Sequence, residues 1–180
     1  MLRALILALS IVIATTGSAA ALRSGPDAVM PLAVMTPPGM RAFCRTYAEQ
    51  CLANDAAEVS ADAELTELLQ AVNDRVNRAI RPVPDGVNDR WTLGGSTGDC
   101  EDYVLAKRAQ LHAAGLPLGA LRIAIVKTRR GITHAVLIVK TDNGDLVLDN
   151  LGRAVRPVAA MPYRMRYISS ADPMHWTAVL

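Results

Sequence analysis

The sequence predicts a single α+β domain in which N-terminal helices pack on an antiparallel sheet. Three observations carry that expectation. Apolar residues recur with a helical period up to about residue 114. The period then shortens to that of strands rich in Val, Ile and Leu. An Asn143-Gly144 turn signal joins two of those strands. The chain has 180 residues, enough for one globular domain and too few for two of ordinary size.

The elements follow in order. Residues 22–40 hold Pro26, Pro31, Pro37 and Pro38 with Gly25 and Gly39, and read as an extended lead. Residues 41–54 read as a short helix or as a disulfide-tied loop. Ser60 or Asp62 can cap a helix whose apolar positions are Leu65, Leu68, Leu69, Val72, Val76 and Ile80, spaced to form one face. Pro82 ends it. Residues 82–98, with Pro84, Gly86, Gly94, Gly95 and Gly98, form a long loop around Trp91. A second helix runs from Cys100 to about Ala114, with Gly115 as its stop and Pro117 just beyond. Residues 121–127, 132–140 and 145–151 read as strands, and 153–158 as a further one.

Composition excludes several classes. Lys+Arg 19 against Asp+Glu 17 lacks the basic footprint of a nucleic-acid binder. At 51% hydrophobic residues the chain is too apolar for intrinsic disorder. Only one long apolar run exists, so the chain is not a multi-span membrane protein. That run follows Met1-Leu2-Arg3 and covers residues 4–14, ahead of Gly17-Ser18-Ala19-Ala20-Ala21. A charged start, a short apolar stretch and an A-x-A site make a secretory signal peptide over 1–21. The run is shorter than the roughly 20 residues a spanning helix needs. The mature protein is therefore expected to be exported, without a membrane span. Its domain is expected over 41–180.

Export changes how the three cysteines read. In an oxidising compartment two pair and one is left over. Cys44 and Cys51, close in sequence, form the natural short-loop disulfide, leaving Cys100 as a free thiol. Cys100 lies in Gly98-Asp99-Cys100-Glu101-Asp102-Tyr103, where a glycine loop opens onto a helix. A thiol in the first helical turn feels unpaired backbone N–H groups and the positive end of the macrodipole, and both favour thiolate. Asp99 is the natural N-cap. Three carboxylates flank the thiol and oppose its ionisation unless something neutralises them.

A nucleophilic Cys needs a base. His112 lies about 18 Å along the same helix and cannot serve. His175, in the tail, suits a surface role. His134 opens the strand His134-Ala-Val-Leu-Ile-Val139. It is either a satisfied core histidine or a catalytic one, and the free thiol at a helix start turns the reading toward catalysis. Asp149, a carboxylate within an apolar strand, requires a partner and suits the orienting role. Asp142 and Asp145 read as solvated turn residues. A strict two-residue Asn143-Gly144 turn places Asp149 opposite Ile138, roughly 13 Å along the strand from His134. A triad therefore needs a shifted register or a bulge.

Helix-initial GDCEDY, then HAVLIV, then LDN resemble, in that order, the bacterial transglutaminase-like cysteine proteinases. The similarity extends to Phe43-Cys44 with Cys51, Asp89, Trp91, Ala106-Lys107, Gly115-Leu116-Pro117, Tyr163 and Tyr167, and covers roughly 41–177. The resemblance implies a papain-like, transglutaminase-like fold with Cys100 as nucleophile, His134 as general base and acid, and Asp149 as orienting carboxylate. It implies Ca²⁺ beside the nucleophile, at Asp99, Glu101 and Asp102, and hard oxygen donors suit that ion. It also implies a place in the periplasm and a surface-adhesin substrate cut at a di-alanine site to control biofilm attachment. An inner-membrane receptor that senses cyclic di-GMP would restrain the cut. Residues 91–98 depart from the family by being shorter and by lacking a Trp-x-x-Pro-Glu pattern. Two other functions use the same residues: a transglutaminase or amidase acting on Gln side chains, and a non-catalytic secreted calcium-binding domain.

Overall fold

The computed structural model describes residues 32–53, 56–86 and 89–179. The signal segment expected over 1–21 and the first part of the lead lie outside them. In chain order the elements are β1 (Ala33–Val34), α1 (Pro38–Thr46), α2 (Ala63–Ala79), β2 (Arg81–Pro82), β3 (Thr97–Gly98), α3 (Cys100–Ala113), β4 (Leu121–Lys127), β5 (Thr133–Val139), β6 (Leu146–Leu148), β7 (Arg156–Pro157), β8 (Arg164–Ser169) and β9 (Trp176–Ala178). Seven strands form one antiparallel sheet in the order β1-β9-β8-β4-β5-β6-β7, and β2 and β3 make a separate parallel pair.

Helix α2 starts where Asp62 accepts a 2.7 Å hydrogen bond from the Leu65 N–H, which satisfies one of the otherwise unpaired donors of the first turn. Its buried residues Leu65, Leu69, Val72 and Val76 are the helical stripe read from sequence. Helix α3 is buried almost all round, through Tyr103, Val104, Leu105, Lys107, Arg108 and Leu111, because α2 covers one side and β5 the other. It ends at Gly115, whose φ of 101° only glycine adopts freely. There the Gly115 and Leu116 N–H groups close back onto the carbonyls of His112 and Leu111. Strand β5 is buried at every position after Thr133. That explains its unbroken apolar run: the helices cover one face, and a smaller cluster of Ala124, Val126, Val136, Ile138 and Val147 covers the other.

Four expectations change. The lead is not uniformly extended: Ala33 and Val34 pair with Thr177 and Trp176, and α1 begins at Pro38. Residues 41–54 are helix and loop together: α1 runs to Thr46, and Cys44 and Cys51 join across the following turn with Cα atoms 5.6 Å apart. The tail supplies two strands: β8, concealed by its polar Arg-Met-Arg start, and β9, only three residues long. The β5–β6 connection is not a two-residue turn. Val139 pairs with Leu146 and Leu137 with Leu148, so residues 140–145 form the loop. Val59 wedges into it, accepting from the Asp142 N–H and donating to the Lys140 carbonyl. Asp142 and Asp145 are correspondingly paired, with the Ala61 N–H at 2.8 Å and the Lys140 Nζ at 2.6 Å.

Trp91 is buried and packs on Gly39 in α1. A Cβ at Gly39 would lie 2.8 Å from the indole Cγ. In the first turn of α1, alanine gains at most about 1 kcal/mol in propensity, but overpacking of a rigid indole costs about 1–3 kcal/mol. Gly39→Ala is therefore expected to lower stability despite the better helix former, read as a fall in the urea midpoint with unchanged m-value.

Candidate active site

Helix α3 begins at the free Cys100, with Asp99 as N-cap. The turn is held by Asp102. Its Oδ2 accepts from the Asp99 N–H at 3.2 Å, the reciprocal arm of a capping box. Its Oδ1 accepts from the Thr92 N–H at 2.8 Å and the Thr92 hydroxyl at 3.0 Å. Asp102 thereby ties the glycine loop to the first turn of α3. Gly98 is required for this closeness, because a Cβ there would lie 2.7 Å from the Cβ of Asp102. The Cys100 thiol donates to Glu101 Oε2 at 3.1 Å, and it also receives the backbone N–H of Ala135 on β5. The thiol is therefore seated against the residue that follows His134.

Continuing the β5–β6 register beyond Leu137 and Leu148 sets Asp149 level with Val136, two residues from His134 instead of four. This shift brings Asp149 Oδ1 to 2.8 Å from His134 Nε2, with both side chains buried. The Asp149 carboxylate is further held by the Leu151 N–H at 2.9 Å and the Tyr163 hydroxyl at 2.7 Å. Tyr163 also meets the His134 ring edge-on, with centroids 5.7 Å apart. With Nε2 committed to Asp149, Nδ1 is the imidazole nitrogen left for a thiol or substrate. Of the other histidines, His112 Nδ1 faces the Leu116 carbonyl, and His175 pairs with Asp172 at the surface.

The charges are arranged in opposition. Burial pushes the Asp149 carboxyl upward, but hydrogen bonds from His134, Leu151 and Tyr163, with the charge of His134, outweigh it and hold the pKa below the usual carboxylate range. Burial raises the Cys100 thiol, and the charge and hydrogen bond of Glu101 raise it further. Burial, and the hydrogen bond that protonated Glu101 donates to Asp99, push Glu101 up to about 7. Asp99 and Glu101 are thus two acidic side chains held against each other beside the thiol. Among the described residues, no three His, Cys, Asp or Glu side chains converge as a ready metal-binding group.

Sequence reading gave no role to three neighbours of the site. Tyr163 entered only through the family resemblance, because its contact with Asp149 is purely tertiary. Thr92 stood in an unassigned loop. Lys107 likewise entered through the resemblance, and not as a fully buried amine. Its Nζ has no hydrogen-bond partner among the described residues and sits 6.0 Å from the Tyr103 ring centroid. Burial lowers its pKa to about 7, against the opposing field of Asp149.

The sequence profile of the bacterial transglutaminase-like cysteine proteinases matches residues 32–180. The calcium-bound form of Legionella pneumophila LapG is similar at a TM-score of 0.56 and 22% identity, over 79% of this chain and 81% of that one. The EGTA-treated form of the same protein gives 0.53 and 19%, over 83% and 88%. The shared architecture is the transglutaminase-like fold. No curated protein sequence matches the chain.

Lys107 makes the stability of the domain depend on pH. Its folded pKa of about 7 lies below the ordinary value of 10.5, so between those limits the unfolded chain binds more protons. Stability from this group therefore rises with pH across that window, by at most about 1.4 kcal/mol per pH unit. Lys107→Met, of similar volume and uncharged, is expected to flatten the rise. Urea midpoints of both proteins at pH 7, 8 and 9 measure the difference.

Proposed function

We propose, from the premise that this chain belongs to the bacterial transglutaminase-like cysteine proteinases, that it is an exported endopeptidase working through Cys100, His134 and Asp149. Membership makes it a cysteine peptidase with a protein substrate. The observation that carries the assignment of residues is the buried 2.8 Å bond from His134 Nε2 to Asp149, next to a helix-initial thiol that touches the adjacent residue of the same strand.

In this reading His134 Nδ1 takes the thiol proton as sulfur attacks the scissile carbonyl carbon. The backbone N–H of Cys100, free at the first position of α3, donates to the oxyanion. His134 returns the proton to the leaving amine as the C–N bond breaks, leaving a thioester on Cys100. The imidazole then deprotonates water, which attacks the thioester, releases the second product and restores the thiol. Asp149 keeps the ring in the tautomer with its proton on Nε2 and stabilises the imidazolium.

The pair Asp99 and Glu101 supports calcium beside the nucleophile. Two adjacent carboxylates present the hard, anionic oxygens that this cation prefers. Calcium, when bound, supplies positive charge that offsets the field opposing a thiolate. Asp102, committed to Thr92 and the Asp99 N–H, shapes the cradle behind them. The resemblance further supports removal of 1–21 on export to the periplasm. It supports a large surface adhesin cut at a di-alanine site as substrate, with release governing biofilm attachment, and restraint by an inner-membrane receptor of cyclic di-GMP. Among the described residues no helix is long and apolar enough to cross a membrane.

Incubation of the mature protein with an adhesin fragment containing the di-alanine site is expected to yield two products, and Cys100→Ala none. Asp149→Asn is expected to reduce kcat by about 10³–10⁴-fold while the domain stays folded, the effect of losing the orienting carboxylate. Equal cleavage by Cys100→Ala, or amine incorporation into Gln in place of cleavage, would overturn the peptidase reading. EGTA is expected to slow the wild-type reaction and added calcium to restore it.

A further inference from the structure

The strand that leads to Asp149 stops before it arrives. The β6 ladder ends at Leu148 and pairing resumes only at Arg156 in β7. Residues 149–155 therefore run without a neighbouring strand, and their backbone groups must find other partners. Helix α2 provides them. Gln70, Asn73 and Asn77 follow at steps of three and four, one polar stripe beside the apolar face that packs into the core. Asn77 Nδ2 donates to the Asp149 carbonyl at 2.9 Å and reaches that of Gly152 at 3.4 Å. Asn73 Nδ2 donates to the Arg153 carbonyl at 3.0 Å. Gln70 donates to the same carbonyl at 2.8 Å and accepts from the Val155 N–H at 3.0 Å, pairing with the backbone as a strand would.

We propose that this amide stripe, and Asn77 above all, is a positioning device that sets the Asp149 carboxylate against His134. The proposal rests on the triad reading above. Asp149 has left the ladder, and its carboxylate is anchored in part to Leu151, which moves with the same loop. The bond from Asn77 holds the peptide of Asp149 itself. It holds it to α2, the helix that packs on α3 and so shares a frame with Cys100. A hydrogen bond that orients an imidazole tolerates roughly 0.5 Å of displacement before the geometry degrades. A misplacement of about 1 Å costs about 10²-fold in rate. The stripe also carries a cost of its own: the Oδ1 atoms of Asn73 and Asn77 are buried without a hydrogen-bond partner among the described residues. Apolar side chains would avoid that cost but would release the loop.

Asn77→Asp is the test, because it keeps the shape and replaces the donor with a carboxylate facing two carbonyls. With a fluorogenic peptide carrying a central Ala-Ala as probe, kcat is expected to fall at least tenfold while KM stays within twofold. The downfield His134 Nε2–H resonance, observed by ¹⁵N-edited NMR, is expected to shift or broaden. Gln70→Leu, which frees Val155 and leaves the Arg153 carbonyl to Asn73 alone without touching Asp149, is expected to do the same to a smaller degree, and it carries the test if Asn77→Asp does not fold. Folded variants with the resonance and kcat of the wild type would overturn the proposal, as would a loss of turnover with the resonance unmoved. Asp149→Asn separates the two levels. Full activity in that variant sinks the triad itself, whereas its inactivity beside a fully active Asn77→Asp sinks only the positioning role.

Discussion

The carboxylate of Asp149 is the point on which the site turns. A buried anion is costly unless its lone pairs are filled, and here three donors fill them: the His134 imidazole, the Tyr163 hydroxyl and the Leu151 N–H. Each arrives from a different place. His134 opens β5, Tyr163 precedes β8, and Leu151 lies in the loop after β6. The sheet order β8-β4-β5-β6 and the two-residue shift in the β5–β6 hairpin are what let those three segments meet. The wedge of Val59 between Lys140 and Asp142, distant from the chemistry, belongs to the same constraint because it occupies the lengthened loop that accompanies that register.

The second organising feature is the crowding of negative charge at the start of α3. Asp99, Glu101 and Asp102 are adjacent in sequence but do different things. Asp102 turns inward and binds Thr92 and the helix N-terminus. Asp99 and Glu101 stay together near the thiol, where burial and contact with Asp99 raise the Glu101 pKa. In this arrangement the thiol is a hydrogen-bond donor to Glu101, with its ionisation opposed. Burial of the thiol and the neighbouring carboxylates thus both oppose its ionisation.

Much of this was legible in the sequence. The stripe of Leu65, Leu69, Val72 and Val76, the Asp62 cap, the Gly115 stop and the short disulfide depend on local spacing, which the chain carries directly. So does the rarity of a free thiol at a helix start. What escaped were contacts between segments far apart in the chain. Strand β8 is half exposed and starts with alternating arginines, so its pairing with β4 leaves little trace in hydropathy. The amides of α2 read as ordinary polar positions because their partners are backbone groups about 70 to 85 residues away.

By itself the sequence singled out the candidate groups: a lone thiol set in the first turn of a helix, a histidine at the head of an apolar strand, and a carboxylate too deep in an apolar run to stand unpartnered. Local rules suffice for this, since capping, periodicity and composition act over a few residues. Tertiary structure alone decided whether those groups could meet. Hairpin register changes in steps of a residue, and two residues along a strand separate a 2.8 Å hydrogen bond from a gap of roughly 13 Å. That choice was made by the Val59 wedge and the packing of β5 between two cores, interactions that no window of sequence contains.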